Sequence, residues 1–156
     1  MSGRGPRPAC WTAALPMYDL PELRAATDAW WSGIAWHLRR AGLADVPDGL
    51  TRPTRVASVW DDPGLLLGQG CGYPLTHAYA GRWRYLATPV YDAPGCDGPA
   101  YRSWLVVAEG ATAAGVGDLL GGIAAVNGPD SHSGWIALRA ALAARAPAGS
   151  RDPVLT

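Results

Sequence analysis

The stretch "AVNGPDSHSGWIALRAALAAR", residues 125–145, decides how this protein is read. A short apolar segment ends at Asn127, Gly128 and Pro129, and a hydroxyl-rich run follows in Ser131, His132, Ser133 and Gly134. Trp135, Leu138 and Leu142 then recur at helical spacing. Strand, polar turn and helix in that order describe an α/β protein, in which ligands sit beyond the carboxyl ends of strands. A helix start presents unpaired backbone N–H groups and the positive end of the helix dipole, a natural seat for an anion. Ser131 and Ser133 add hydroxyl donors, and His132 adds a ring N–H. A lone serine before a helix is usually a plain N-cap. Ser-His-Ser-Gly after Pro-Asp offers more than a cap requires.

The same pattern occurs upstream. "LLLGQGCGYPL", residues 65–75, is an apolar strand, a glycine-containing turn and a helix start. Between and around these, residues 10–15 read as a first strand. Asp19 with Glu22 three residues later reads as a capping box, with Pro21 in the tolerated first turn. Leu23, Thr27, Trp30, Ile34 and Leu38 then mark the buried face of a helix that Gly42 ends. Residues 54–64 read as holding a strand and a short helical turn. Residues 70–81, 115–122 and 131–145 read as further helices, and residues 65–68, 83–91, 101–110 and 123–127 as strands. This alternation predicts a mainly parallel sheet with helices on its faces. The tryptophans, including Trp60, Trp83, Trp104 and Trp135, are expected mostly in the core.

Composition excludes several classes. The protein has 156 residues, 49% of them hydrophobic and 17% charged, which suits one globular domain. Net charge is zero and the arginines are scattered, so no basic stripe for nucleic acid is present. No apolar run has the roughly 20 residues of a membrane-spanning helix. The first residues hold no convincing signal peptide, and no apolar segment precedes Cys10 as a lipid anchor would require, so the sequence as written reads as cytoplasmic. Cys10, Cys71 and Cys96 lack metal-ligand spacing and read as reduced thiols.

"VNGPDSHSG", with "LLLGQGCGYPL" and "GPAYRSWLVV" upstream in this order, resembles the phosphate/phosphite/phosphonate substrate-binding proteins of ABC transporters. The resemblance implies a type II periplasmic-binding fold and an oxyanion ligand held by Ser131, His132, Ser133 and Gly134. The family commonly has threonine or another polar residue where His132 stands. Tyr101 matches an aromatic facing the cleft. Gln69, Gly70, Cys71, Gly72 and Tyr73 match the wall of the first lobe. The implied division is a disordered start (1–9), lobe 1 with the crossing strand (10–110), the opening of lobe 2 (111–146) and a loose tail (147–156). The first lobe is then nearly complete and the second only begun, so that the sequence is truncated at its C-terminal end relative to the family. The resemblance implies no cofactor and no enzymatic activity. Its implied partners are the small oxyanion and the membrane subunits of an ABC transporter, with oligomerisation through the incomplete second lobe. A true start further upstream implies a periplasmic or cell-surface location.

Rival readings use other residues. Cys71 with His77 suggests a thiol nucleophile and base, but six residues of helix carry the two side chains apart. A cytoplasmic lyase of the same fold would draw acid and base from His77, His132, Asp130 and Asp92, none of them recognisably paired. Asp61, Asp62 and Asp97 suggest a metal, yet solvated turn residues fit them better. Arg102 suits an anion as a fork donor and suits an exposed strand edge equally. A non-functional fragment with an exposed sheet edge is the remaining alternative.

Overall fold

The computed structural model describes residues 10–146, so the expected disordered start and loose tail lie outside the described residues. It is a mixed α/β structure, 34% helix and only 8% strand. The protein divides into two compact units, Met1–Gly70 and Cys71–Thr156.

In the first unit, strand β1 (Thr12–Ala14) is followed by a 3₁₀ turn (Pro21–Leu23) and helix α1 (Arg24–Arg40). A short helix α2 (Val56–Trp60) leads to strand β2 (Leu65–Gly68), which pairs parallel with β1. Ala13 faces Leu67 and Ala14 faces Gly68, with an irregularity between Thr12 and Ala13. Thr51 N–H donates to Ala13 O, so a further segment lies against β1. Ala13 and Ala14 are fully buried, which suits small side chains at a crowded strand.

The core gathers Ala13, Leu15, Trp31, Ala35 and Val46, with Ile34, Leu38, Leu50, Leu66 and Leu67 packed around it. Trp31 is 1% exposed, whereas Trp30, expected on the buried face, is 40% exposed and Leu23 is exposed as well. The apolar stripe of α1 is thus centred on Trp31 and Ala35. The methyl of Ala35 leaves room for the indole ring, and Trp31 Nε1 donates to Pro47 O at 3.2 Å, so its polar atom is satisfied on burial. Gly42, at φ 87°, ends α1 as expected, with Leu43 N–H returning to Leu38 O.

The expected capping box does not form. Leu20 and Leu23 hold the cap positions, and neither offers a capping hydrogen bond. Asp19 instead accepts from Thr27 Oγ1 at 2.6 Å and from Arg52 Nε at 2.6 Å. Arg52 also reaches Asp28 at 2.8 Å, tying the loop after Leu50 to the first turns of α1. A bidentate guanidinium outcompetes a cap because its hydrogen bonds are charge-assisted. Asp62 is likewise a turn residue, accepting from Thr12 Oγ1 at 2.9 Å and Gly64 N–H at 2.7 Å.

In the second unit, helix α3 (Gly72–Thr76) gives way to turns and to Gly81 at φ 75°. Strands β3 (Cys96–Asp97) and β4 (Ala100–Tyr101) form a two-residue antiparallel ladder across a turn containing Gly98 at φ 54°. A 3₁₀ turn (Val116–Leu119) packs against helix α4 (Ala137–Ala143). A π-helical turn (His132–Ile136) precedes α4, so the helix expected over residues 131–145 is two segments. Pro74, Tyr79, Leu138 and Leu142 are buried.

The strands expected over residues 83–91 and 123–127 are absent, and the one expected over 101–110 is reduced to its first residue, Tyr101 of β4. A strand is stabilised by its neighbour rather than by itself. Among the described residues, no strand lies beside these runs. Their apolar side chains stand in solvent, with Ile123 92%, Val106 87% and Trp104 71% exposed.

Arg52 holds the Asp19 carboxyl below its ordinary pKa by hydrogen bonding, with Thr27 adding to the effect against the opposing cost of burial. The side chains are only 12% and 29% exposed, so the pair is partly shielded from water. Arg52→Gln is expected to lower unfolding free energy by about 1–3 kcal/mol at neutral pH. A carboxyl lowered on folding stabilises above its unfolded pKa and ceases to do so as pH falls through the folded value. The gap between wild type and variant in urea unfolding should therefore close progressively below about pH 4.

Candidate functional site

The helix start in the second unit is built from backbone geometry upward. Ser131, extended at φ −77° and ψ 116°, is the N-cap, and its Oγ accepts from Gly134 N–H at 3.1 Å. Its carbonyl accepts twice, from Trp135 N–H at 3.0 Å and Ile136 N–H at 3.1 Å. The second of these spans five residues and makes the first turn wider than an α turn. Ser131 N–H closes the preceding turn onto Gly128 O at 3.1 Å.

Gly134 has a steric reason to be glycine. A Cβ there would run into Asn127 Oδ1 and would stand 2.9 Å from Ser131 Oγ. Asn127 therefore lies against the helix start, although the sequence reading assigns the site to its neighbours. Ser103 is the other residue missed. Its hydroxyl donates to Ser133 O at 3.2 Å, connecting the segment after β4 to the turn. Both lie inside "VNGPDSHSG" and "GPAYRSWLVV", but neither carries a periodic or charged signal.

Cys71, the N-cap of α3, meets this turn. The His132 backbone N–H lies close enough to its sulfur to act on the thiol's charge. Two helix starts, each following a glycine-containing turn, are thus brought together at one point within the second unit. Burial pushes the Cys71 thiol above its ordinary pKa. The His132 N–H pulls the other way, and the charge of Asp130 adds to the rise. A thiol held protonated is a poor nucleophile. His77 does not serve it as a base: its ring stacks on Tyr73 at 3.8 Å, with Nδ1 against Thr76 Oγ1 at 2.9 Å and Tyr73 O at 3.0 Å.

Ser131, His132, Ser133, Gly134 and Cys71 are therefore grouped, with Ser103 and Asn127 beside them. Tyr73 is half-buried in its stack with His77. Tyr101 is exposed on β4 opposite Cys96. Gln69 belongs to the first unit, where its Oε1 accepts from Met17 N–H at 3.2 Å and its carbonyl from Trp60 Nε1 at 3.1 Å. Arg102, Asp92 and Asp97 are exposed.

The cap uses part of the donor set. The Gly134 N–H is already committed, to Ser131 Oγ, and the His132 N–H acts on Cys71. What remains for an oxyanion is the Ser131 and Ser133 hydroxyl protons, the Ser133 N–H and the exposed His132 ring. Among the described residues, no group of three metal-ligating side chains forms, and no helix is long and apolar enough to cross a membrane.

Comparison with family models, curated proteins and solved structures returned no match.

Gly134→Ala is expected to destabilise the protein by about 1–3 kcal/mol, as overpacking does. Adding Asn127→Ala should recover part of that loss in a double-mutant cycle followed by urea unfolding. In a Cys10→Ser/Cys96→Ser background, alkylation of Cys71 should show a pH midpoint above the ordinary thiol value. Asp130→Asn should move the midpoint down.

Proposed function

We propose that this protein binds a phosphate- or phosphonate-like oxyanion at the helix start of Ser131, His132, Ser133 and Gly134. It does so as a non-enzymatic relative of the substrate-binding component of an ABC uptake transporter, with a type II periplasmic-binding-like fold. The observation that carries this reading is the approach of the His132 backbone to Cys71. It brings the two glycine-containing turns, far apart in sequence, to one corner. Uncharged hydroxyl and amide donors at a helix start suit an oxyanion. A π-helical first turn, a form that recurs at functional sites, also supports the assignment. The parallel pairing of β1 with β2, with α1 packed over it, is consistent with the opening of a doubly wound lobe.

Asp130 lies near enough for its charge to act on Cys71. A carboxylate beside a donor set disfavours a fully ionised ligand and accepts a hydrogen bond from a monoprotonated one. Hydrogen phosphate, phosphite or a simple phosphonate therefore fits better than sulfate.

The test is thermal unfolding with phosphate, phosphite, methylphosphonate or sulfate, against chloride at matched ionic strength. A phosphorus oxyanion should raise Tm, because a ligand stabilises the state it binds. Ser133→Ala should remove the ligand-induced rise while leaving the ligand-free Tm in place. Ser131→Ala should also cost about 1 kcal/mol without ligand, since it removes the cap. A Tm indifferent to all of these anions would overturn the reading.

A further inference from the structure

Helix α1 has a second face, and among the described residues nothing packs on it. Trp31 and Ala35 point into the core, while Ala25, Ala26, Ala29, Trp30, Gly33 and Trp36 lie on the remaining surface. Trp36 is 52% exposed, and space is open around Gly33, where an added Cβ would meet nothing within 4 Å. Two tryptophans flanking small residues on an exposed helix are unusual for a solvated face, where charged side chains are the rule.

The charges at the ends of this face have opposite sign. Glu22 lies in the turn before α1, and Arg40 closes its last turn, its guanidinium 4.5 Å from the Trp36 ring centroid. At 100° per residue Arg40 falls on the face that carries Gly33, and Glu22 stands in the exposed 3₁₀ turn at the other end of the helix. Neither forms an ion pair among the described residues.

We infer that this face of α1 is a homodimer interface in which two copies pack antiparallel about a twofold axis. In that arrangement residues whose numbers sum to 62 face each other. Glu22 of each copy meets Arg40 of the other, Trp36 covers Ala26, and Ala29 meets Gly33 at the closest approach. The contact is isologous, so each favourable pair is made twice. The helix dipoles oppose, which favours the same orientation. A helix of 17 residues is about 25 Å long, so the contact falls at the small end of specific interfaces, and its Kd is expected in the micromolar range. The inference does not rest on the oxyanion reading.

Sedimentation equilibrium of the full-length protein over a concentration series tests the inference. Wild type should follow a monomer–dimer equilibrium. Gly33→Glu should be monomeric with an unchanged melt, because the position is open and exposed. Glu22→Arg and Arg40→Glu should each weaken the dimer about tenfold or more, since like charges then oppose at both ends. The combined Glu22→Arg/Arg40→Glu variant should recover most of the wild-type affinity. A monomer at every concentration would overturn the inference and leave the face to a different partner. So would a dimer indifferent to Gly33→Glu, or a double swap without recovery.

Discussion

The indole of Trp31 must be surrounded by apolar atoms and still find an acceptor for its N–H. The first unit is arranged around that requirement. Ala13 on β1 and Ala35 on α1 are small enough to let strand and helix close on the ring. Pro47 O takes the N–H. The loop carrying Pro47 is in turn held by Arg39, which donates to Val46 O at 2.8 Å and Pro47 O at 3.2 Å. Its ion pair with Asp48 is exposed and adds little. The two backbone acceptors, rather than the charge pair, place the loop. A fully buried tryptophan thus sets how closely β1 and α1 approach.

The first unit was readable from sequence because its signals are local. Apolar spacing in α1, Gly42 at its end and the short Leu65–Gly68 run each act over a few residues, and each has its structural counterpart. The finer reading failed where two local signals competed. Thr27 and Trp30 fit helical spacing as well as Trp31 and Ala35 do, and only the tertiary partners decide between the two stripes. The Asp19 capping pattern lost to Arg52, a residue 33 positions away. In the second unit the readings depended on pairing. Residues 83–91 and 123–127 have strand composition, but composition supplies no neighbour, and these runs stay unladdered and exposed.

At the helix start, the residues marked in the sequence have several different structural roles. Ser131 is indeed the cap, and Gly134 is required by the approach of Asn127. Those roles explain two of the four positions without any ligand. Ser133 is different. Its carbonyl is held by Ser103, which fixes the backbone, while its hydroxyl and N–H have no partner among the described residues. The approach to Cys71 was beyond local patterning, since it brings together positions 61 residues apart.

The cap itself changes the chemistry of the Ser131 hydroxyl. Its oxygen accepts the Gly134 N–H, which draws electron density toward that bond. A hydroxyl polarised in this way gives up its own proton more readily to an acceptor on its other side, since linked hydrogen bonds strengthen one another. The proton can no longer lie along the direction that Gly134 occupies, so its rotation is restricted. An ordinary serine rotor is thereby turned into a more directional donor at the mouth of the helix.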